Sequence, residues 1–361
     1  MFKTNALVTK GPKQGFRRTR IERRDVGRLD VLIDIAYCGI CHSDVSYVDN
    51  EWGRTIFPLV PGHEIAGVVS AVGSDVTRFS PGDRVGVGCL VDTCGECHNC
   101  LAGHENHCQG QRTSTYSSRD RDGRATDGGY SEQIVVTEDF VVRIPETLSL
   151  ETAAPLLCAG ITVYSPLTRW GAGPGTRVGV LGLGGLGHVA LQIARALGAR
   201  TTVFDLDPAK RDDALRLGAD AYITATDSAS LEALASSLDL MICTVPANLD
   251  LNTYLAMLDV DGKFVVIGVP SKALTIDAFS LIINQRALAG SRIGNLKETQ
   301  QMLDFCAAHQ IGAEVEVISA DEVERAYGRV RAGDVRFRFV LDTSTIRTLG
   351  EESKRASSLV A

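Results

Sequence analysis

The sequence predicts a chain of two domains, α/β plus β in class: a β-rich domain and a parallel-sheet domain. Three observations carry this. The turn Gly182-Leu183-Gly184-Gly185-Leu186-Gly187 follows a strand-like run, opens an Ala- and Leu-rich helix, and is succeeded by more strand-like runs. Short β-like runs separated by Gly and Pro turns fill most of the chain before it. At Ala153 the texture becomes helical, which marks a boundary. A length of 361 residues also exceeds what one compact core usually holds.

From the N-terminus, Asn5 to Thr9 and Leu29 to Ala36 suit short strands joined by basic, glycine-containing turns. Cys38 and Cys41 form a Cys-x2-Cys, which by itself suits a zinc knuckle or a redox pair. Cys41 is the better ligand candidate, because Ser43 two residues on can face the same metal; Cys38 suits a small buried hydrophobe. Between Leu59 and Val68 a Pro-Gly turn sets His63 and Glu64 directly before an apolar run. Alone, such a pair is more often structural than a ligand set. Cys41 upstream and Cys158 downstream turn it into two thiolates and an imidazole, the sulfur-and-nitrogen set that Zn²⁺ prefers. Three protein ligands with an exchangeable fourth position define a catalytic zinc.

Residues 65 to 87 read as short strands joined by Gly and Pro-Gly-Asp turns. The most specific motif follows: Cys94-x2-Cys97-x2-Cys100-x7-Cys108. Four thiols satisfy a tetrahedral zinc completely and leave no open position, so this site is expected to be structural; the spacing fits a zinc lobe better than ferredoxin spacings. His98, His104 and His107 within it suit solvated loop positions. Residues 111 to 129 look like an exposed loop leading to strands at Tyr130 to Val136 and Phe140 to Ile144. Cys158 then falls at the domain junction, where clefts usually form.

A bare G-x-G-x-x-G is weak evidence, but Gly182, Gly184 and Gly187 stand between a strand (Arg177 to Leu181) and a helix (His188 to Leu197). A second strand, Arg200 to Phe204, ends in Asp205. That context predicts a dinucleotide pyrophosphate resting on the N–H groups at the helix start. Strands at Leu238 to Thr244, Lys263 to Val269 and Leu288 to Ile293 continue the sheet. Leu296 to His309 is amphipathic, and the runs Val315 to Ile318 and Arg336 to Leu341 return to the first domain. The expected organisation is 1–157 with 294–361 for the catalytic domain, its tail loose after about 343, and 158–293 for the nucleotide domain.

A net charge of −7 argues against nucleic acid or an acidic membrane surface as a partner. No segment reaches the roughly 18 apolar residues of a membrane span, and the first residues lack a signal-peptide core. The chain reads as cytoplasmic, and ten cysteines there point to metal or redox chemistry before disulfides.

Together these residues resemble the zinc-dependent medium-chain alcohol dehydrogenases, and within them the cinnamyl alcohol dehydrogenase-like group. The likeness covers nearly the whole chain, through Gly-Val-Gly-Cys-Leu-Val-Asp at 86 to 92, Ala-Ala-Pro-Leu-Leu-Cys-Ala-Gly-Ile-Thr-Val-Tyr-Ser-Pro at 153 to 166, Gly-Leu-Gly-Gly-Leu-Gly-His-Val-Ala at 182 to 190 and Lys-Glu-Thr-Gln at 297 to 300. It implies a GroES-like catalytic domain with a Rossmann domain inserted, usually as a homodimer. It places the catalytic zinc on Cys41, His63 and Cys158 with Glu64 as exchangeable fourth ligand, and the structural zinc on Cys94, Cys97, Cys100 and Cys108. Cofactor contacts would be Ser43, Thr162, the glycine turn, Thr244, Gly268 and the strand end from Ser291 to Ile293.

Three departures from the group's pattern stand out. The group usually prefers NADP and carries a small hydroxyl residue at the end of the second Rossmann strand, where this chain has Asp205, a difference that predicts NAD over NADP; Lys210 and Arg211 pull toward NADP, though they also suit a solvated helix start. The relay histidine is replaced by Ser46. The tryptophan of the plant enzymes' pocket is replaced by Ser114. Reversible oxidation of a primary alcohol, aromatic or allylic ones included, is the expected function, with Ser43 accepting the hydroxyl proton. Reduction of an enal or iminium carbon is the alternative, since it tolerates a weakened relay. A non-catalytic, zinc-stabilised dinucleotide sensor would leave the catalytic ligand set without a use.

Overall fold

A computed structural model of the chain describes residues 1–347. The contacts cluster into two units, Met1–Cys158 with Asn295–Ala307 and the chain from Gly312, and Ala159–Gly294 with Ala308–Ile311. The two expected junctions, before 158 and before 294, lie one residue ahead of the observed ones, and Ala308–Ile311 clusters with the second unit although all of 294–361 was expected in the first.

The strands of the first unit are β1 (Phe2–Val8), β2 (Arg17–Arg23), β3 (Asp30–Ile40), β4 (Ile65–Val72), β5 (Arg84–Val87), β6 (Leu90–Thr93), β7 (Arg112–Ser114), β8 (Gln133–Thr137) and β9 (Val142–Arg143). The second unit holds β10 (Arg177–Leu181), β11 (Arg200–Asp205), β12 (Ala221–Thr224), β13 (Leu238–Cys243), β14 (Leu258–Val266) and β15 (Ala287–Gly290). The chain then returns to the first unit with β16 (Val315–Ile318) and β17 (Arg338–Asp342).

In the first unit a seven-stranded sheet runs β16-β17-β3-β4-β5-β9, with β8 also on β3; every pairing except β16 with β17 is antiparallel. β17 lies directly beside β3, Phe339 opposite Ile40, so the C-terminal segment supplies an inner strand of the N-terminal sheet. Four strands depart from the sequence reading, among them β6 and β7, which pair with each other although 111 to 129 was expected as an exposed loop; Thr113, Thr115 and Tyr116 in it are buried. β2 was expected as basic turns, yet its arginines are spaced along an extended strand that pairs with β1 over seven residues. The short β12 was not foreseen. The tail expected to be loose from about 343 begins with the 3-10 turn Thr343–Ile346, in which Thr343 and Ile346 are buried; the rest of that tail lies outside the described residues.

The second unit is a six-stranded parallel sheet in the order β12-β11-β10-β13-β14-β15. Numbered within the unit this is 3-2-1-4-5-6, the dinucleotide-binding arrangement, whose strand order reverses between its first and fourth strands, here β10 and β13. The central strands β10 and β13 are buried along nearly their whole length and carry apolar runs, and Phe204, Leu238, Met241, Leu255 and Phe264 pack into one core cluster.

Candidate metal centres and nucleotide site

The lobe between β6 and β7 brings the sulfurs of Cys94, Cys97, Cys100 and Cys108 within 4.8 Å of one another. Cys94 Sγ lies 3.9 Å from that of Cys100 and 3.4 Å from that of Cys108. Tetrahedral zinc with bonds near 2.3 Å sets its sulfurs about 3.8 Å apart, so the donors fit the ion without rearrangement. Backbone N–H groups of Gln109 and Cys100 aim at Cys97, whose pKa falls to about 6, the thiolate state a metal needs. His98, His104 and His107 are exposed and outside the set.

The second set is assembled from three distant stretches. Cys41 is the N-cap of the helix His42–Val48, and Asp44, three residues on, accepts its backbone N–H at 2.8 Å. Asp44 also accepts the N–H of Gly62 at 3.1 Å, and its Oδ1 stands 3.2 Å from His63 Nδ1. One buried carboxylate therefore fixes both a ligand-bearing turn and the imidazole. His63 and Glu64 sit on the bend before β4, and Cys158 follows the 3-10 turn Ala154–Leu157. One donor atom each from Cys41, His63, Glu64 and Cys158 lies within 4.8 Å of the others, and the two sulfurs are 4.0 Å apart. The distance is again close to that of a shared zinc and far from a disulfide. Cys38 stays outside the set, fully buried against Gly62 and Tyr130.

Asp44 and, further away in the chain, Arg338 are supporting residues that sequence reasoning missed. At the start of β17, Arg338 Nη2 donates to both Glu64 oxygens, at 2.5 and 2.6 Å, with both side chains buried. Burial pushes the Glu64 carboxyl up to about 8 while Arg338 draws it back down; burial likewise disfavours the Arg338 charge, and Glu64 more than restores it. Glu64 thus faces the donor set and a guanidinium at once. Gly39 on β3 allows this, since a Cβ there would overlap Glu64 Oε2. The only sequence signal was an arginine directly before the apolar run Phe339 to Leu341. The hydrogen bond with Cys158 lowers the Cys41 pKa far below its ordinary value against the effect of burial, while the same bond and one to Cys89 raise Cys158. Tyr116 flanks the imidazole, ring centroids 5.6 Å apart. Ser43 is half-buried and Ser46 buried on the same short helix.

In the second unit the glycine turn follows β10. Gly182 has φ +94°, and a Cβ on Gly187 would overlap the Gly182 carbonyl oxygen, so the turn closes only with glycine at both places. A Cβ on Gly184 would meet nothing within 4 Å, so the space beside this residue is open to a phosphate, while its carbonyl is held by His188. Thr244, one residue past β13, donates its hydroxyl to the carbonyls of Leu181 and Gly182, tying the two sides of the order reversal together. Gly268 and Ser291 lie just beyond β14 and β15. Thr162 is buried on the helix Ala159–Arg169. Asp205 accepts the N–H of Leu183 at 2.7 Å and that of Asp207 at 3.0 Å, and both its oxygens lie 3.2 Å from Lys210 Nζ. Lys210 is therefore not the solvated helix-start residue the sequence suggested; its side chain is 16% exposed and paired.

A sheet unit with two metal-competent donor sets and a unit of dinucleotide-binding topology define a metal-dependent, nucleotide-linked oxidoreductase. Residues 27–146 match the model of the alcohol dehydrogenase GroES-like domain, and residues 185–308 that of the zinc-binding dehydrogenases. The probable formaldehyde dehydrogenase AdhA of Bacillus subtilis is 53% identical over 95% of this chain and 98% of its own. The NADP-dependent alcohol dehydrogenase C 1 of Mycolicibacterium smegmatis is 52% identical over 96% and 100%. Among solved structures, a cinnamyl alcohol dehydrogenase of Sorghum bicolor superposes with a TM-score of 0.92 at 43% identity, covering 95% of this chain and 98% of that one. The cinnamyl alcohol dehydrogenase of Helicobacter pylori complexed with NADP(H) gives 0.89 at 39%, over 95% and 98%. The chain belongs to the zinc-dependent medium-chain alcohol dehydrogenase family, in its cinnamyl alcohol dehydrogenase-like group, and is an alcohol dehydrogenase and aldehyde reductase. Among the described residues no helix is long and apolar enough to cross a membrane.

Proposed function

We propose that Cys41, His63, Cys158 and exchangeable Glu64 hold a catalytic zinc, that the lobe thiols hold a second, structural one, and that the enzyme passes hydride reversibly between a primary alcohol and NAD. The observation that carries the reading is the buried convergence of four donors within 4.8 Å, with Arg338 waiting on Glu64. Bound there, zinc supplies Lewis-acid polarisation of the substrate oxygen, and the dinucleotide supplies the hydride acceptor. The chain's own residues do the rest. Asp44 orients His63 through Nδ1, which leaves Nε2 for the metal. Arg338 holds Glu64 whenever that carboxylate yields its place, so no bare charge is left in the interior. Ser43 takes the hydroxyl proton and passes it outward; Ser46 can relay a proton but cannot hold one at neutral pH.

Asp205 favours NAD, because a 2′-phosphate would bring up to two further negative charges beside it. Lys210 offsets part of that repulsion, and relatives named as NADP-dependent pull the other way. The Asp205→Ser variant should shift the kcat/KM ratio toward NADPH; a wild type already faster with NADPH would overturn the preference. Metal analysis should count two zinc ions per chain, and mild chelation should remove activity before fold. One zinc per chain would sink the two-site assignment.

Ser46 in the relay position favours a second reading, reduction of enals or cyclic imines, which loads no proton onto an alkoxide path. NADH consumption across aldehydes, enals and imines separates the two. A homodimer fits the exposed side chains of Phe279, Ile282 and Ile283 on the segment leading into the edge strand β15; Ile282→Asp should lower the mass seen by light scattering. Donor sets that need reduced thiols fit a cytoplasmic location.

A further inference from the structure

One thiol next to the catalytic donor set has no part in the chemistry above. Cys89 lies between β5 and β6, half-buried, with its thiol a hydrogen-bonding neighbour of that of Cys158. Its position is fixed by its surroundings. The Thr115 N–H donates to the Cys89 carbonyl at 3.1 Å, and the Thr115 hydroxyl to that of Gly88 at 2.5 Å. Gly88 itself packs so closely on Leu157 that a Cβ would come within 2.9 Å of the Leu157 carbonyl oxygen. The loop carrying Cys89 is thereby clamped to the turn carrying Cys158. Cys41 and Cys158 are buried, whereas Cys89 is the more open member of this group of three sulfurs.

We propose that Cys89 and Cys158 form a redox pair, in which a peroxide closes a disulfide between them and so removes Cys158 from the metal-binding set. The Cys89 sulfur gives an electron pair to the peroxide, the O–O bond breaks, and a sulfenic acid and water result. The Cys158 sulfur then attacks the Cys89 sulfur; the S–O bond breaks and its oxygen leaves with a proton as a second water. Two thiols and one hydrogen peroxide thus give one disulfide and two waters. Cys41, His63 and Glu64 remain as donors, one thiolate short, and the metal leaves. A dithiol reverses the bond, and added zinc refills the set. The lobe has no equivalent: its four thiols are all ligands, with no extra sulfur to receive the oxidant. The inference rests on the catalytic-zinc reading above.

The experiment treats the zinc-loaded protein with hydrogen peroxide. It follows zinc release with a chromogenic chelator and maps disulfides by proteolysis without reduction. Zinc counted before the oxidant is added separates the two ideas: a single zinc per chain overturns the metal reading, whatever the disulfide map shows. With two zinc ions present, the expected result is release of one, in step with a peptide pair joining Cys89 to Cys158, and recovery with dithiothreitol plus zinc. Cys89→Ser and Cys89→Ala should release that zinc on the order of tenfold more slowly, because the resolving route is gone. A Cys41–Cys158 disulfide in place of the Cys89 pair, or equal release from wild type and both variants, would overturn the proposal. The map on the wild type stands even if a variant folds poorly.

Discussion

The two donor sets use similar atoms and are built in opposite ways. The lobe draws four thiols from fifteen consecutive residues, half-exposed, and needs only its own backbone N–H groups to prepare them. The buried set draws on residues 41, 63, 64 and 158 and depends on Asp44 and Arg338 to hold it. A local set is complete in itself and suits a staple. A distributed set needs supporting residues, and those can also let one ligand come and go.

The largest expected effect is at the buried set. His63→Ala should lower kcat/KM by roughly 10³–10⁴, several kcal/mol of lost charge stabilisation, while metal analysis still finds the lobe zinc. Loss of both ions together would break the independence of the two sets. Next comes Arg338→Met, which strands the Glu64 carboxylate in the interior and should cost about 3–5 kcal/mol in urea unfolding. Adding Glu64→Gln should restore much of that loss, and a double variant no better than the single would show that Arg338 acts by packing alone. At the lobe, Cys100→Ser should reduce two zinc ions to one and lower Tm, yet leave kcat per folded molecule nearly unchanged; an equal fall in kcat would mean the lobe is more than a staple. The smallest effect belongs to the proton path. Ser46→His should speed alcohol oxidation near pH 7 by at most about 10²-fold and add an inflection in the imidazole range. An unchanged pH profile would place Ser46 off the path.

How legible each part was in sequence follows the same division. The lobe and the glycine turn were readable because their partners lie within a few residues, and spacing alone states the geometry. Arg338 was not, since its partner is 274 positions away and nothing near it in the chain hints at a carboxylate. The arginine-rich β2 was misjudged because charge suggested a turn. In the structure Arg18 pairs with Asp321, while Arg23 is buried and donates to the carbonyls of Asp127, Gly128 and Gln133. Lys210 was misjudged for the same reason: its ammonium has a carboxylate waiting on the neighbouring strand end.

The position of β17 also has a consequence in time. Because Arg338 joins Glu64 across 274 residues, the N-terminal sheet leaves the ribosome without an inner strand, and the whole nucleotide-binding unit must be made before that strand exists. At about 5–20 residues per second that interval is roughly 14–55 s. For most of it Cys41, His63 and Glu64 are already out of the exit tunnel, whereas the lobe is complete as soon as Cys108 has emerged. The staple is therefore ready to take its zinc early in synthesis, and the catalytic centre is finished only when nearly all of the chain is out.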